Sequence, residues 1–597
     1  MKNLKYFISC VGYSVNLVAR PHKLTAGAYI VLCFLTSVFP LVSTYVLRNL
    51  LNVLTADKIE MTLVGVYIAA YILAVVLLQA VRSMKDLSFN SLTEKGRHEF
   101  NLRIVEKLKS LPISFIDSSY GKDLIEKARM SEVSAVLLSD NIIRVFTYLA
   151  AFFVAFVPMV RFSVFFSLLF LVLTIPGIIV RAHCEEAMNI YVMQNAANNR
   201  KYSYYRWMLI DRWPAKDVRM YNLTDPIEGR YRTEMRTYRD KMIKLNKRRY
   251  GLTTLAEILK RSGEVVFTAY IVISAIRGNV TIGDATLYIG YSLTVISNFT
   301  VVMDLSVSAY QKSKTRLSRL FEFMDIACED GNEAKRALGE FRSLEFVDVY
   351  FKYPHTDKYI LSGASFTLDR GDKLSIVGMN GSGKSTIVKL MLGLYEIDSG
   401  EILINGFPMS GYDIKDVRRM FSALFQSFVQ YPLTLRDNIA LSDYERAEHD
   451  EAIEDALNQS GVYGEIKDKL ENGLDSYMTR EFDDKGTELS RGQWQKIALS
   501  RAYFKNADIL IMDEPSAALD AEAEDRIFKN FESISEGRTG IMISHRISAA
   551  RLTNKIIVLD GGKITETGTH DELIAKDGLY ARFYNLQKEK YTAEGAK

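Results

Sequence analysis

The sequence predicts an all-α polytopic membrane domain of six transmembrane helices with long cytosolic extensions, followed by an α/β globular domain. Three observations carry that prediction. Long uncharged apolar runs recur up to about residue 305 and stop after about residue 340. Two strongly basic, helix-forming segments separate pairs of those runs. A glycine-rich loop lies between a strand-like and a helix-like stretch in the second half. Averages conceal the division: the 597 residues are 48% hydrophobic and 24% charged, with a mean hydropathy of +0.01. This apolar content excludes wholesale disorder. The net charge of +4 points neither toward nor away from nucleic acid. The four cysteines (Cys10, Cys33, Cys184, Cys328) have no metal-ligand spacing and form no disulfide framework.

The first 23 residues carry Phe7, Ile8, Val11, Val15 and Leu17 between basic ends, which reads as an amphipathic helix at the membrane interface. A cleavable signal peptide or organellar presequence is not expected there. The membrane domain then runs over 24–310. A bilayer core about 30 Å thick takes about 20 helical residues to cross, and residues 24–47 and 62–81 meet that length without a charge. Residues 145–180 hold one charge, Arg161. As one straight helix they would reach about 54 Å, so they read as a hairpin of spans 145–160 and 162–180 with Pro158 and Arg161 at the turn. Residues 265–276 are apolar but short. A fifth span over 255–276 must take in Lys260, Arg261 and Glu264, and rests partly on parity. The sixth span covers 285–305.

Lys and Arg accumulate on the cytoplasmic side of membrane proteins. Ten lie between Arg82 and Asp140 and 17 between Ala182 and Ser262, whereas the other connections carry only a few. The amino terminus and the second half are therefore expected in the cytosol. Residues 94–111 and 198–250 are rich in charged helix formers and read as helices continuing out of the membrane, since unstructured loops of that length are uncommon.

After a linker over 311–340, residues 341–590 form the second domain. Gly378-Met379-Asn380-Gly381-Ser382-Gly383-Lys384-Ser385 fits the phosphate loop G-x-x-x-x-G-K-[ST]. It follows the strand-like run 373–377 and precedes the helix-like run 386–394, which is the context the motif needs. Its N–H groups can close on phosphate oxygens at a helix start. Lys384 can reach the β- and γ-phosphates, and Ser385 can ligate Mg²⁺. A second apolar run, 509–512, ends in Asp513-Glu514. Asp513 is placed to hold Mg²⁺ and Glu514 to polarise the attacking water. The domain is thus an α/β P-loop ATPase.

Between these motifs, Leu489-Ser490-Arg491-Gly492-Gln493 resembles the LSGGQ signature of ATP-binding cassette (ABC) proteins. The rest of that set stands in order. Tyr353 resembles the aromatic that stacks on adenine, Gln426 the Q-loop glutamine, Ser516-Ala517-Ala518-Leu519-Asp520 the D-loop, and His545 the switch histidine. With six spans ahead, the chain resembles an ABC half-transporter of the exporter type over nearly its whole length. The resemblance implies ATP and Mg²⁺ held by Tyr353, Asn380, Gly381, Ser382, Gly383, Lys384, Ser385 and Thr386. It also implies Ser385, Gln426 and Asp513 on the metal, and Glu514, His545 and Gln426 in catalysis. Ser490, Gly492 and Gln493 would complete the site of an opposing chain. A second half-transporter is therefore implied, as homodimer or heterodimer. Two departures stand out: Arg491 replaces the usual glycine, and Ala517 the usual serine.

The expected activity is ATP-driven export by alternating access, in a multi-pass protein of a bacterial cell membrane with the cassette in the cytoplasm. Short helices near 113–122 and 212–223 are expected to carry cassette motion to the spans. Peptide or amphipathic small-molecule cargo is expected. Residues 492–499 resemble exporters of modified peptides such as lantibiotics, and only 23 residues before the first span leave no room for a peptidase domain. Tyr45, Tyr291, Ser297, Asn298 and Asp304 are candidate cavity residues. An importer of the same fold and a nucleotide-binding regulatory membrane subunit are the alternatives; no nucleic-acid partner is expected.

Overall fold

The structure is a computed structural model that describes residues 2–329, 336–354, 356–515, 531, 538–544 and 550–594. The chain divides into two units, Met1–Lys109 with Asp123–Ile326, and Ser110–Lys122 with Ala327–Lys597.

The first unit is helical. In chain order the helices are α1 (Lys2–Val18), α2 (Lys23–Leu54), α3 (Met61–Lys109), α4 (Ile113–Asp117), α5 (Ser119–Arg129), α6 (Glu132–Phe162), α7 (Val164–Gln194), α8 (Ala196–Ile210), α9 (Ala215–Met220), α10 (Thr224–Ile276), α11 (Ile282–Lys312) and α12 (Ser318–Met324). Of these, α4 and the first turn of α5 belong to the second unit. Among the described residues, five helical stretches are long and apolar enough to cross a membrane: Lys23–Leu54, Met61–Lys109, Ser119–Phe162, Val164–Val192 and Ile282–Met324. α10 does not reach that apolarity, because its last third carries Lys260, Arg261 and Glu264.

Three details differ from the sequence expectation. The hairpin does not turn at Pro158 and Arg161, which lie inside α6. It turns at Ser163, whose extended backbone (φ −157°, ψ 110°) separates α6 from α7. Proline's fixed φ is helical, so Pro158 forgoes one hydrogen bond without ending the helix. The inner stretch 198–250 is not one helix. Asp211 takes an extended ψ of 148° ahead of Pro214 and divides α8 from α9 and α10. The linker is helical at its start, because α11 continues through a π-turn (Ser313–Leu317) into α12.

Bulky aromatics bind the spans together. Phe162 stacks on Tyr288 at 4.2 Å between ring centroids, and Phe267 meets Phe166 at 5.1 Å and Phe170 at 5.2 Å. α10 lies against α7 and α11 against α6 and α2. Gly263 permits the first of these contacts, since a Cβ there would stand 2.4 Å from Leu173 Cδ1.

The second unit is α/β. One sheet is antiparallel, in the order β2 (Leu361–Asp369), β1 (Ser343–Phe351), β4 (Ser399–Ile404), β5 (Phe407–Pro408). The other sheet has the order β10-β9-β3-β8-β7-β6. It comprises β3 (Lys373–Gly378), β6 (Phe421–Leu424), β7 (Ile509–Asp513), β8 (Thr539–Ile543), β9 (Lys555–Asp560) and β10 (Lys563–Gly568). Its strands run parallel except for β10. Every residue of β7 and β8 is buried, as expected for parallel strands covered on both faces. One face packs with α13 (Lys384–Met391) and the antiparallel sheet. The other packs with α15 (Leu435–Ala440), α16 (Asp450–Gln459) and α18 (Arg491–Phe504). Between these lie the short helices α14 (Ile414–Arg419) and α17 (Tyr463–Ile466). The chain is thus a helical membrane domain followed by an α/β nucleotide-binding domain.

Candidate nucleotide-binding site

In open parallel sheets, ligands bind beyond the carboxyl ends of the strands. Here the loops after β3, β6 and β7 leave one sheet edge together and carry the phosphate loop, Gln426 and Glu514. They enclose a cavity of about 520 Å³ lined by Tyr353, Ile360, Asn380, Gly381, Gly383, Lys384, Ser385, Thr386, Gln426 and Glu514.

The loop's shape follows from its glycines. Gly381 and Gly383 have φ of +79° and +111°, values that side-chain-bearing residues rarely adopt. A Cβ on Gly383 would also stand 3.0 Å from Leu361 Cδ2 and 3.2 Å from Ile360 O. Lys384 opens α13 and is buried. Its Nζ donates back to Gly378 O (2.8 Å) and Met379 O (3.0 Å). Burial holds its pKa below the ordinary lysine value, opposed by the nearby carboxylates of Glu514 and Asp513. An incoming polyphosphate would add further negative charge beside the amine and favour its protonated form. Ser382 buries its hydroxyl without a hydrogen-bond partner, as suits a group awaiting a phosphate oxygen.

Gln426 Nε2 donates to Glu514 Oε2 at 2.6 Å. Glu514 has a φ of 52° while its N–H donates to Ile543 O at 2.9 Å. A non-glycine residue held in the left-handed region stores strain of about 1–3 kcal/mol, and such strain clusters at functional sites. Asp513, the last residue of β7, is 5% exposed. The oxygens of Ser385, Gln426 and Asp513 form the kind of hard donor set that Mg²⁺ takes.

Tyr353 follows β1, and its hydroxyl lies 3.2 Å from Thr386 Oγ1. Sequence reasoning missed its surroundings. Lys389 Nζ donates to that hydroxyl at 3.3 Å and stands over the Tyr353 and Tyr395 rings. Tyr395 meets Tyr353 edge-on at 5.3 Å, and its hydroxyl donates to Asp117 Oδ2 at 2.8 Å. Burial first, then Asp117, raises the Tyr395 hydroxyl to about 12. Helical spacing of Lys389 three residues after Thr386 was the one available signal; the Asp117 contact joins positions 278 residues apart.

Ser490, Gly492 and Gln493 do not line this cavity. They form the start of α18, where Ser490 Oγ accepts from Gln493 N (3.2 Å) and Gln493 Oε1 accepts from Ser490 N (3.0 Å). This reciprocal cap fixes the loop geometry without using the side chain of Arg491, which is exposed. His545 and Ser516–Asp520 lie outside the described residues.

Comparison with known proteins agrees with this geometry. The family model described as ABC transporter matches residues 361–517, and the one described as ABC transporter transmembrane region matches 26–299. The chain is 29% identical to the subtilin transport ATP-binding protein of Bacillus subtilis, over 92% of this chain and 89% of that protein. It is 26% identical to the nisin transport ATP-binding protein of Lactococcus lactis subsp. lactis, over 98% and 97%. An ATP-dependent lipid A-core flippase of Haemophilus ducreyi is 31% identical over 52% of each chain. In fold, the chain superposes on a bacterial Atm1-family ABC exporter with ATP bound, with a TM-score of 0.77 at 24% identity, covering 96% of this chain and 99% of that one. A membrane region and a cassette in one chain, in this order and with this site between its strands, define the conclusion: the chain belongs to the ABC transporters, as a multi-pass half-transporter of the exporter type.

Proposed function

We propose that two such chains, identical or related, form an ATP-driven exporter of a peptide or amphipathic small molecule, working by alternating access in a bacterial cell membrane. The observation that carries this reading is the split of the site. Each chain holds one cavity with the phosphate loop, Gln426 and Glu514, while its own Ser490 and Gly492 stand elsewhere, at the exposed start of α18. A second chain supplies the missing wall.

The two inner tips support the same reading. The first, Ser110–Lys122, belongs to the cassette unit, where Asp117 is held by Tyr395. The second leaves Ile210, Trp213, Met220 and Tyr221 between 62% and 79% exposed. Apolar surface of that size calls for cover, and the cassette of the second chain is its proposed occupant.

In the proposed cycle Tyr353 stacks on adenine, the phosphate-loop amides and Lys384 bind the phosphates, and Ser490 with Gly492 of the opposing chain close over them. Ser385, Gln426 and Asp513 are the residues to hold Mg²⁺, which would neutralise phosphate charge. Glu514, poised by Gln426, orients water for in-line attack on the γ-phosphate, and His545 supports the closed geometry. The last part of α10, residues 255–276, makes the fifth of six crossings. Nucleotide binding favours one arrangement of the spans and its loss the other. The similarity to subtilin and nisin transport proteins favours peptide cargo. ATP-dependent uptake of cargo into inverted vesicles tests the direction; uptake only into right-side-out vesicles would make the chain an importer.

A further inference from the structure

The backbone at Glu514 is under strain for two reasons. A residue with a side chain rarely takes a positive φ, and a residue ahead of proline is pushed toward extended backbone. Glu514 precedes Pro515 and holds a φ of 52° all the same. Such a conformation persists only where its surroundings over-determine it. On one side, its N–H donates to Ile543 O at 2.9 Å and its carboxylate accepts from Gln426 Nε2 at 2.6 Å. On the other, Gln495 Nε2 of α18 donates to Pro515 O.

Gln495 is 4% exposed, and burying an amide costs free energy unless its hydrogen bonds are made. Its Oε1 has no partner among the described residues, so the bond to Pro515 is what its amide is held by. Proline has no N–H, so the residue after Glu514 offers only its carbonyl for such a hold. α18 is a firm base for it. Trp494, Ile497 and Ala498 are buried in one cluster with Leu510 and Met512 of β7, the strand that ends in Asp513. Toward the other end of the helix, Arg501 donates to Asn438 O and Val429 O, each at 2.8 Å, and to Asn438 Oδ1 at 2.6 Å. The helix is therefore bonded both to the backbone that follows Glu514 and to the segment that follows Gln426, and so brackets the Gln426–Glu514 pair.

We propose that Gln495 is a positioning residue for ATP hydrolysis: it ties α18 to the carbonyl after Glu514 and so holds the Glu514 carboxylate where it can orient water. Without that bond the strained backbone relaxes and the carboxylate shifts away from Gln426. The phosphate loop, built between β3 and α13, keeps its shape and its hold on nucleotide. Gln495 thus acts on the chemical step through Glu514, and touches neither nucleotide nor metal. The inference rests on the reading of Glu514 as the residue that orients water, and adds what keeps it in place.

The test uses the full chain in proteoliposomes. Gln495→Met keeps the length of the side chain and removes its donor. It should lower kcat for ATP about tenfold and leave KM within about twofold. It should also raise about tenfold the vanadate concentration that half-inhibits hydrolysis, because vanadate with ADP mimics the in-line transition state. A merely structural role would reduce the amount of active protein and leave the half-inhibiting concentration where it was. Gln495→Leu, also without a donor, is read in its place where Gln495→Met does not fold. An unchanged kcat, or a lower kcat with unchanged vanadate sensitivity, would overturn the assignment. Glu514→Gln is measured beside them. Normal hydrolysis by that variant would strike the reading of Glu514 itself, whereas its inactivity beside a Gln495→Met that matches the parent would strike the positioning role alone.

Discussion

The two charged cavities of this chain are built in opposite ways. The nucleotide cavity draws Asn380, Gly381, Gly383, Lys384, Ser385 and Thr386 from one stretch of chain, a loop and the first turn of α13, and completes it with single residues at or near strand ends. The intramembrane cavity draws on α7 and α11, whose paired lining residues Arg181 and Asp304 stand 123 positions apart. In the first, backbone amides and glycines form the site, so chemistry is written in consecutive letters. In the second, helix packing forms the site, so each letter taken alone looks like an out-of-place charge.

The largest effect should come from removing the proposed base. Glu514→Gln should lower ATP turnover at least about 100-fold while leaving ATP retention on the protein nearly unchanged, read by phosphate release against nucleotide binding. Normal phosphate release would move the base elsewhere. Next, Gly383→Ala should weaken ATP binding about tenfold or more, because a Cβ must accept φ of +111° and close contacts with Ile360 and Leu361. Unchanged affinity would show that the loop does not depend on that conformation.

The membrane cavity should respond differently. Arg181→Met or Asp304→Leu alone should destabilise the detergent-solubilised protein by about 1–2 kcal/mol, a figure reduced because Arg181 is part exposed. The double variant should recover much of that loss in a thermal unfolding cycle. Additive losses would mean the pair is not a unit. In the second unit, Tyr395→Phe removes the 2.8 Å bond to Asp117. It should reduce cargo-stimulated hydrolysis about threefold. In the parent that contact should be constant from neutral pH to mildly alkaline pH, since the donor's pKa is raised to about 12 and the proton stays on. The smallest effect is expected for Arg491→Gly. The loop is fixed by the Ser490–Gln493 cap, so hydrolysis should stay within about threefold of the parent. A larger change would give Arg491 a direct role across the dimer.

The sequence by itself determined the order of the two domains, the strand–loop–helix around the phosphates, and the acids ending β7, because uncharged runs of span length and glycine-rich turns are local signals. It also located the doubtful span at Lys260, Arg261 and Glu264. Only tertiary structure decided how those charges are held: Gly263 brings α10 against α7, and the charges meet partners one helical turn away. Tertiary structure likewise placed the hairpin turn at Ser163 rather than at Pro158, because a proline compatible with helical φ does not by itself end a helix. It joined Asp117 to Tyr395 and drew Lys389 over Tyr353. Pairings between residues far apart in the chain are set by which helix and sheet faces pack together, and no window of consecutive residues carries that information.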